Sequence, residues 1–383
     1  MSLLARDLTG AEVLRPGQGL VRDRLSISDG HIVDAPVGRA VDLSGFWLLP
    51  GIVDVHGDGF ERHLAPRRGA MKQVAEGLVA AEAELAANGI TTAVLAQFMS
   101  WEGGLRGVAF ADRVLSAIRD TRDQFATDLI AQLRFEIHML DHYADLPARV
   151  RDWQVGYLVF NDHLPHQRLA QGKRPAGLTG QALKAGRNPE AHLQFLQDLY
   201  ARRDEVAAAL DAVAPRLLAD GVRLGSHDEA TAEDRAIWRR RGAAISEFPE
   251  TLEAAEAACA VGEPVILGAP NVVRGGSHKG NVSATDLIVM GHATALASDY
   301  HYPSPRRAVL MLERAGVVPL ETAWGLIAEG PARVLGLADR GVLRTGARAD
   351  LVILDARTKR VAGTLAGGQV SYLSGEAAAR FAA

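Results

Sequence analysis

The chain has 383 residues, 48% of them hydrophobic and 23% charged, with a formal net charge of −4. This length excludes one small domain and suits a barrel with a smaller attachment. The slightly negative balance excludes a field that would draw the chain onto nucleic acid or an anionic membrane. A single cysteine, Cys259, rules out an internal disulfide, and its Ala/Glu-rich helical surroundings mark it as a small buried residue rather than a nucleophile. No basic segment followed by a long apolar run opens the sequence, and no apolar stretch nears the roughly 18 residues that span a bilayer. A cytoplasmic protein with no nucleic-acid or membrane partner is expected.

From the start to about residue 46 the pattern is of short strands and glycine turns. Residues 12–17 and 25–33 alternate apolar and polar side chains around Gly17 and Gly30. The tail reads alike, with Leu351-Val352-Ile353-Leu354 as a compact apolar strand. Neither end can bury a core alone, so residues 1–46 and 341–383 are expected to pair into one small β-sandwich domain. Residues 47–340 alternate apolar strands with helical stretches, which argues for βα units on a parallel sheet. The strand candidates are Trp47–Asp58, Thr91–Gln97, Ala131–Ile137, Gly156–His163, Val222–His227, Ala244–Phe248, Pro264–Ala269 and Ala293–Asp299. Helical patterns lie between them, for example Met71–Asn88 and Pro189–Ala219. Eight such units predict an α/β fold, a (β/α)₈ TIM-like barrel. Residues 164–188 are rich in Gly, Lys and Pro and predict a long loop over its mouth.

In such barrels the C-terminal strand ends face the active site. Here they carry His56 and Asp58, Glu136, His163, His227 and Asp299. His56 and Asp58 are two apart and share one face of an extended strand. Imidazole and carboxylate together suit divalent zinc, with manganese or iron as alternatives. Two such ions about 3.5–4 Å apart need a bridging anion, and Glu136 is the natural bridge. A lone His or Asp at a strand end is more often structural; six titratable groups closing five apolar strands point to a two-metal centre. After the seventh strand, Gly268 to Asn281 holds four glycines with Arg274, Ser277, His278 and Lys279. Glycine lets backbone N–H groups approach an anion, and the basic side chains supply charge, so this segment is a candidate phosphate site set against a plain glycine-rich turn.

Leu48-Leu49-Pro50-Gly51-Ile52-Val53-Asp54-Val55-His56 followed by Asp58 resembles the opening strand of the amidohydrolase superfamily, and Gly341–Gly346 with Ala349-Asp350-Leu351-Val352 resembles its closing β segment. Ser226–Thr231, Glu247–Ala255, Gly268–His278 and Ser298-Asp299-Tyr300 are similar to the PhnM family, the α-D-ribose 1-methylphosphonate 5-triphosphate diphosphatases of the carbon–phosphorus lyase pathway. The resemblance implies a hydrolase that releases pyrophosphate from a small phosphorylated substrate, and a homodimer. It also implies roles: His56, Asp58, Glu136 and Asp299 on one cation, and Glu136, His163 and His227 on the other. Asp299 would take the proton of the attacking water, and Arg274, Ser277, His278 and Lys279 would bind the polyphosphate. The family's His-Thr-Asp-Asn is here His56-Gly57-Asp58-Gly59, and its Asp-His-(Ser/Thr)-Pro-Gly-Gln is here Asp162-His163-Leu164-Pro165-His166-Gln167. Those departures keep open a second chemistry of the superfamily, hydrolysis of a C–N bond by a deaminase or cyclic amidase.

Overall fold

The computed structural model describes residues 3–65, 73–276 and 281–383. Eight strands form one sheet: β1 (Ile52–Gly57), β2 (Ile90–Met99), β3 (Asp128–Glu136), β4 (Tyr157–Asn161), β5 (Arg223–His227), β6 (Ala243–Glu247), β7 (Val265–Gly268) and β8 (Ala295–Ala297). They follow one another in sequence order, and a parallel bridge between Gly57 and Asp299 links the end of β1 to the residue just past β8. The fold is a (β/α)₈ barrel. The chain divides into two compact units, Met1–Leu95 with Thr121–Ile130 and Ile266–Ala383, and Ala96–Asp120 with Ala131–Val265.

In the first unit, the expected strand Trp47–Asp58 is two strands. Phe46–Pro50 leaves the barrel and joins a six-stranded sheet, where it pairs antiparallel with Leu351–Asp355; β1 starts again at Ile52. Gly51 sits at the break, and a Cβ there would run into the side chains of Thr91 and Asp350. Periodicity could not show this break, because both strands are buried on both faces almost throughout. A separate four-stranded sheet comes entirely from residues 6–42. Leu8, Leu25 and Ile27 from it, and Val13, Leu48, Leu351, Ile353 and Leu365 from the larger sheet, form one buried cluster, which is the sandwich core. The hairpin Leu25–Ser28/His31–Val33 turns on Asp29 and Gly30, both at positive φ (50° and 79°), as a two-residue Asp-Gly turn requires.

Asp7 anchors the four-stranded sheet. Its carboxylate accepts from the Ser26 hydroxyl at 2.7 Å and from the backbone N–H groups of Val37 and Gly38 at 2.9 Å each. The Ser26 bond foremost, with those amides, holds its pKa below the usual carboxylate range. The stability it contributes is present above the unfolded pKa of about 4 and is lost as pH falls through the lower folded value. Asp7→Asn is expected to flatten this part of the acid limb in a urea titration repeated from neutral pH downward. An acid limb as steep as the parent's would refute the assignment.

In the second unit, the Pro189–Ala219 pattern resolves into helices Pro189–Ala201 and Val206–Ala219 around a short turn. Segment 164–188 is not one loop but holds helices His166–Ala170 and Leu178–Lys184; five and seven residues give too few turns for an apolar period to show. Thr231 and Thr251, inside two of the family-like motifs, are helix N-caps. Thr231 Oγ1 accepts from Asp234 N at 3.0 Å and Thr251 Oγ1 from Ala254 N at 3.1 Å. Cys259 is partly rather than fully buried, and burial pushes its thiol up, away from thiolate chemistry. Among the described residues no helix is long and apolar enough to cross a membrane.

Candidate active site

His56, Asp58 and Asp299 belong to the first unit. Asp299 N–H donates to His56 O at 3.0 Å and Asp58 N–H to Asp299 O at 2.9 Å, so the backbone ties the ends of β1 and β8 together. Beneath them lies Asp54, fully buried, accepting from Ser298 N–H at 2.9 Å and Ser298 Oγ–H at 2.5 Å. Burial outweighs those bonds and raises its pKa to about 6. Asp54 was absent from the sequence-predicted site, although its i, i+2 relation to His56 was readable. The same packing explains Gly57, where the family's common residue is Thr. A Cβ at position 57 would lie 2.7 Å from Asp54 Oδ2 and 2.9 Å from Ser298 Oγ. Gly57→Thr is therefore expected to destabilise the protein by about 1–3 kcal/mol through overpacking, and pairing it with Asp54→Ala should recover part of that loss in urea denaturation. A stable Gly57→Thr single variant would show that the contact relaxes freely.

Glu136, His163 and His227 belong to the second unit, at or just past the ends of β3, β4 and β5. Alternate residues of β3 reach across the strand tops: Gln132 donates to Glu247 at 2.8 Å, Arg134 to His227 Nε2 at 3.0 Å, and Glu136 accepts from His163 Nδ1. Glu136 is fully buried and also accepts from His163 N–H at 3.1 Å and the Trp101 indole at 3.3 Å. Asp228 Oδ1 lies 3.1 Å from His227 Nδ1, and its Oδ2 3.9 Å from His163 Nε2. Burial foremost, with Arg134, depresses the His227 pKa to about 4, so its imidazole is neutral at pH 7. At His163 burial acts to lower the pKa, but the Glu136 carboxylate overrides it and the net shift is upward. Arg134 also lies 3.8 Å over the Phe98 ring, which fixes the guanidinium against the imidazole.

Among the described residues, three that lie one or two past a barrel-strand end hold positive φ without being glycine: Asp228 (60°), Phe248 (55°) and Asp299 (54°). For a bulky residue such as Phe248 this is a genuine outlier, and such strain of about 1–3 kcal/mol persists where surrounding structure imposes it, commonly at active sites.

The donor atoms of His163, His227 and Asp228 lie within 4.8 Å of one another, as do those of Glu102, Glu136 and His163. Buried carboxylate with one imidazole held neutral is a donor set that fits a divalent cation. Sequence reasoning missed Asp228, Glu102 and Arg134. Asp228 was visible as the neighbour of His227, and Arg134 as the residue two before Glu136. Gly268 to Asn281 departs from the expected loop: Ala269–Arg274 is a helix, ended by Gly275 at φ 79°. Arg274 closes that helix and donates to the Tyr300 hydroxyl at 2.6 Å on the exposed surface. Ser277, His278 and Lys279 lie outside the described residues.

No family model matches the chain. It is 30% identical over 370 residues, 89% of its own length and 93% of its counterpart's, to the alpha-D-ribose 1-methylphosphonate 5-triphosphate diphosphatase of Escherichia coli (strain K12). Among solved structures, 5-methylcytosine deaminase from Klebsiella pneumoniae superposes with a TM-score of 0.65 at 15% identity, covering 96% of this chain and 98% of that one. N-acetylglucosamine-6-phosphate deacetylase from Thermotoga maritima does so with a TM-score of 0.60 at 15% identity, covering 96% and 100%. At such identities the two structures speak for the fold alone.

Proposed function

Because the chain belongs to the family of alpha-D-ribose 1-methylphosphonate 5-triphosphate diphosphatases, we propose that it hydrolyses the 5-triphosphate of a ribose 1-phosphonate at the α phosphorus and releases pyrophosphate. The observation that carries this reading is the convergence of Glu136, His163, His227 and Asp228 past the ends of three successive barrel strands. We take His56, Asp58, Glu136, His163, His227 and Asp299 as the residues that hold two divalent cations, zinc before manganese or iron. Such ions, when bound, lower the pKa of a water towards neutrality and offset phosphate charge. We assign Asp299, whose backbone is bonded to the end of β1, the role of orienting that water and accepting its proton. Neutral His227 need lose no proton to serve as a ligand, and the lone pair it would give a cation is the one that here accepts from Arg134. Arg134 adds a fixed positive charge beside it, suited to a polyanionic substrate.

Arg274, Ser277, His278 and Lys279 are proposed to bind the polyphosphate. Arg274→Ala is expected to raise KM about tenfold with kcat little changed, since a contact made equally in ground and transition states affects binding alone. A fall in kcat with unchanged KM would move Arg274 into the chemical step. The same reading takes the enzyme as a cytoplasmic homodimer, checked by cell fractionation and light scattering.

The direct test is a phosphorus-NMR assay on ribose 1-methylphosphonate 5-triphosphate, with and without prior chelation. Pyrophosphate should appear only with metal present. Ammonia released from an amide or nucleobase panel, with no pyrophosphate from the triphosphate, would instead make this a C–N hydrolase. Full activity after chelation would refute the metal centre.

A further inference from the structure

A second group of donors in the same unit shares no member with the Glu136–His163–His227–Asp228 set. His138, on the segment that follows β3, Asp162, just past β4, and His166, at the start of helix His166–Ala170, each offer a ligand atom within 4.8 Å of the others. His166 Nε2 lies 3.0 and 2.9 Å from the two Asp162 oxygens, and His138 Nε2 lies 3.3 Å from Oδ1. The two imidazole rings are inclined at 54° to each other with centroids 5.1 Å apart. The Asp162 carboxylate is held in place by Leu164 N–H at 3.2 Å, and the Tyr200 ring flanks His166 at 5.9 Å.

One departure from the family-like pattern, His166 in the place of a glycine, falls within this group. His138 is only 2% exposed; its Nε2 faces Asp162, and among the described residues its Nδ1 makes no hydrogen bond. A buried histidine kept for packing ordinarily has its ring nitrogens satisfied. Here one ring nitrogen faces a carboxylate at ion-pair distance, and the group opens on a cavity of about 480 Å³ lined by all three side chains, with His227 and Asp228 elsewhere on its wall. Two imidazoles and one carboxylate are the donor set of an open transition-metal site, with water completing the shell. His166 and Asp162 are partly exposed, so an ion can enter from the cavity without moving the core.

We propose that His138, Asp162 and His166 form an additional binding site for a divalent transition-metal cation, separate from the catalytic pair. Removing one of only three protein ligands should weaken such a site by more than about a hundredfold, beyond the 10–100-fold typical of outer-shell partners.

The test uses the full-length protein, stripped with a chelator and titrated with zinc against a chromogenic competitor. His166→Ala, at a solvent-facing position, should bind one zinc equivalent fewer than the parent while keeping the others. His163→Ala should lose zinc from the other set and keep this equivalent. Crystals soaked in zinc should show an anomalous peak between His138, Asp162 and His166 in the parent and in His163→Ala, and none there in His166→Ala. Zinc stoichiometry and affinity unchanged by His166→Ala, or no peak between the three side chains in the parent, would overturn the proposal. Because the two variants address different donors, failure of this site and failure of the catalytic pair give different patterns.

Discussion

His227→Ala is expected to lower kcat for pyrophosphate release by more than about a hundredfold, at least about 2.7 kcal/mol of transition-state stabilisation, and to lower bound metal in parallel. The reasoning starts with its ring. Burial and Arg134 hold the imidazole neutral, with a pKa of about 4, so at pH 7 it is already in the ligand state. Phe248 packs edge-on against it at 5.0 Å, and Arg134 and Asp228 address its two nitrogens. Alanine removes the donor and also leaves the Arg134 guanidinium without this acceptor in a mostly buried setting, which adds a structural loss to the chemical one. His227→Asn separates the contributions, since it keeps a polar group for Arg134 while presenting a poor metal ligand. If His227→Asn melts like the parent but is as inactive and metal-poor as His227→Ala, the loss belongs to the metal. A variant that keeps its metal and most of its kcat would remove His227 from the centre.

Arg235→Met should destabilise the folded protein by about 3–5 kcal/mol, the range for removing one partner of a buried ion pair, read as a shift of the urea midpoint. Arg235 is completely buried. Its Nη1 donates to Glu229 Oε1 and Ser226 Oγ at 2.5 Å each, its Nη2 donates to Ala243 O, and its Nε lies 3.1 Å from Glu263. Glu229 is buried too and accepts from Ser246 Oγ–H at 3.1 Å. Burial pushes the Glu229 carboxyl up and Arg235 opposes that, so removing the guanidinium leaves an acid that must stay protonated or unfold its surroundings. The double change Arg235→Met with Glu229→Gln should recover much of the loss. The pair sits behind β5 and β6, so Arg235→Met is also expected to loosen His227 and lower metal affinity. A midpoint unmoved by the single substitution would show the network contributes nothing net.

The barrel was readable because its strands are largely apolar runs separated by helical patterns, and β5, ending at His227 as expected, shows how well that signal fixes a boundary. Gly51 defeated it, since apolar runs feeding two different sheets look continuous when both faces are buried. The positions of the proposed ligands His56, Asp58, Glu136, His163, His227 and Asp299, at or within two residues of barrel-strand ends, were legible. The supporting groups were less so. Arg134 and Gln132 look like ordinary strand polar residues until β3 is seen to aim alternate side chains at β5 and β6. Asp54 looks like an extra acid until Ser298 is found against it. Glu229 and Arg235 lie six residues apart across a strand-to-helix turn, a spacing with no periodic signature. His138 and His166 meet through Asp162 only once β3 and β4 are paired, which no single segment discloses.

The handover at Gly51 has a consequence for how the molecule is made. Phe46–Pro50 finds one of its neighbours in Leu351–Asp355, roughly 300 residues later in the chain, and such distant pairings form slowly. On a ribosome, the stretch that leads into His56 waits unpaired on that flank until the chain is almost finished. Catalytic competence is then a late event in biogenesis. A nascent chain stalled before residue 351 should stay open to protease near Trp47, however well the rest of its barrel has already formed.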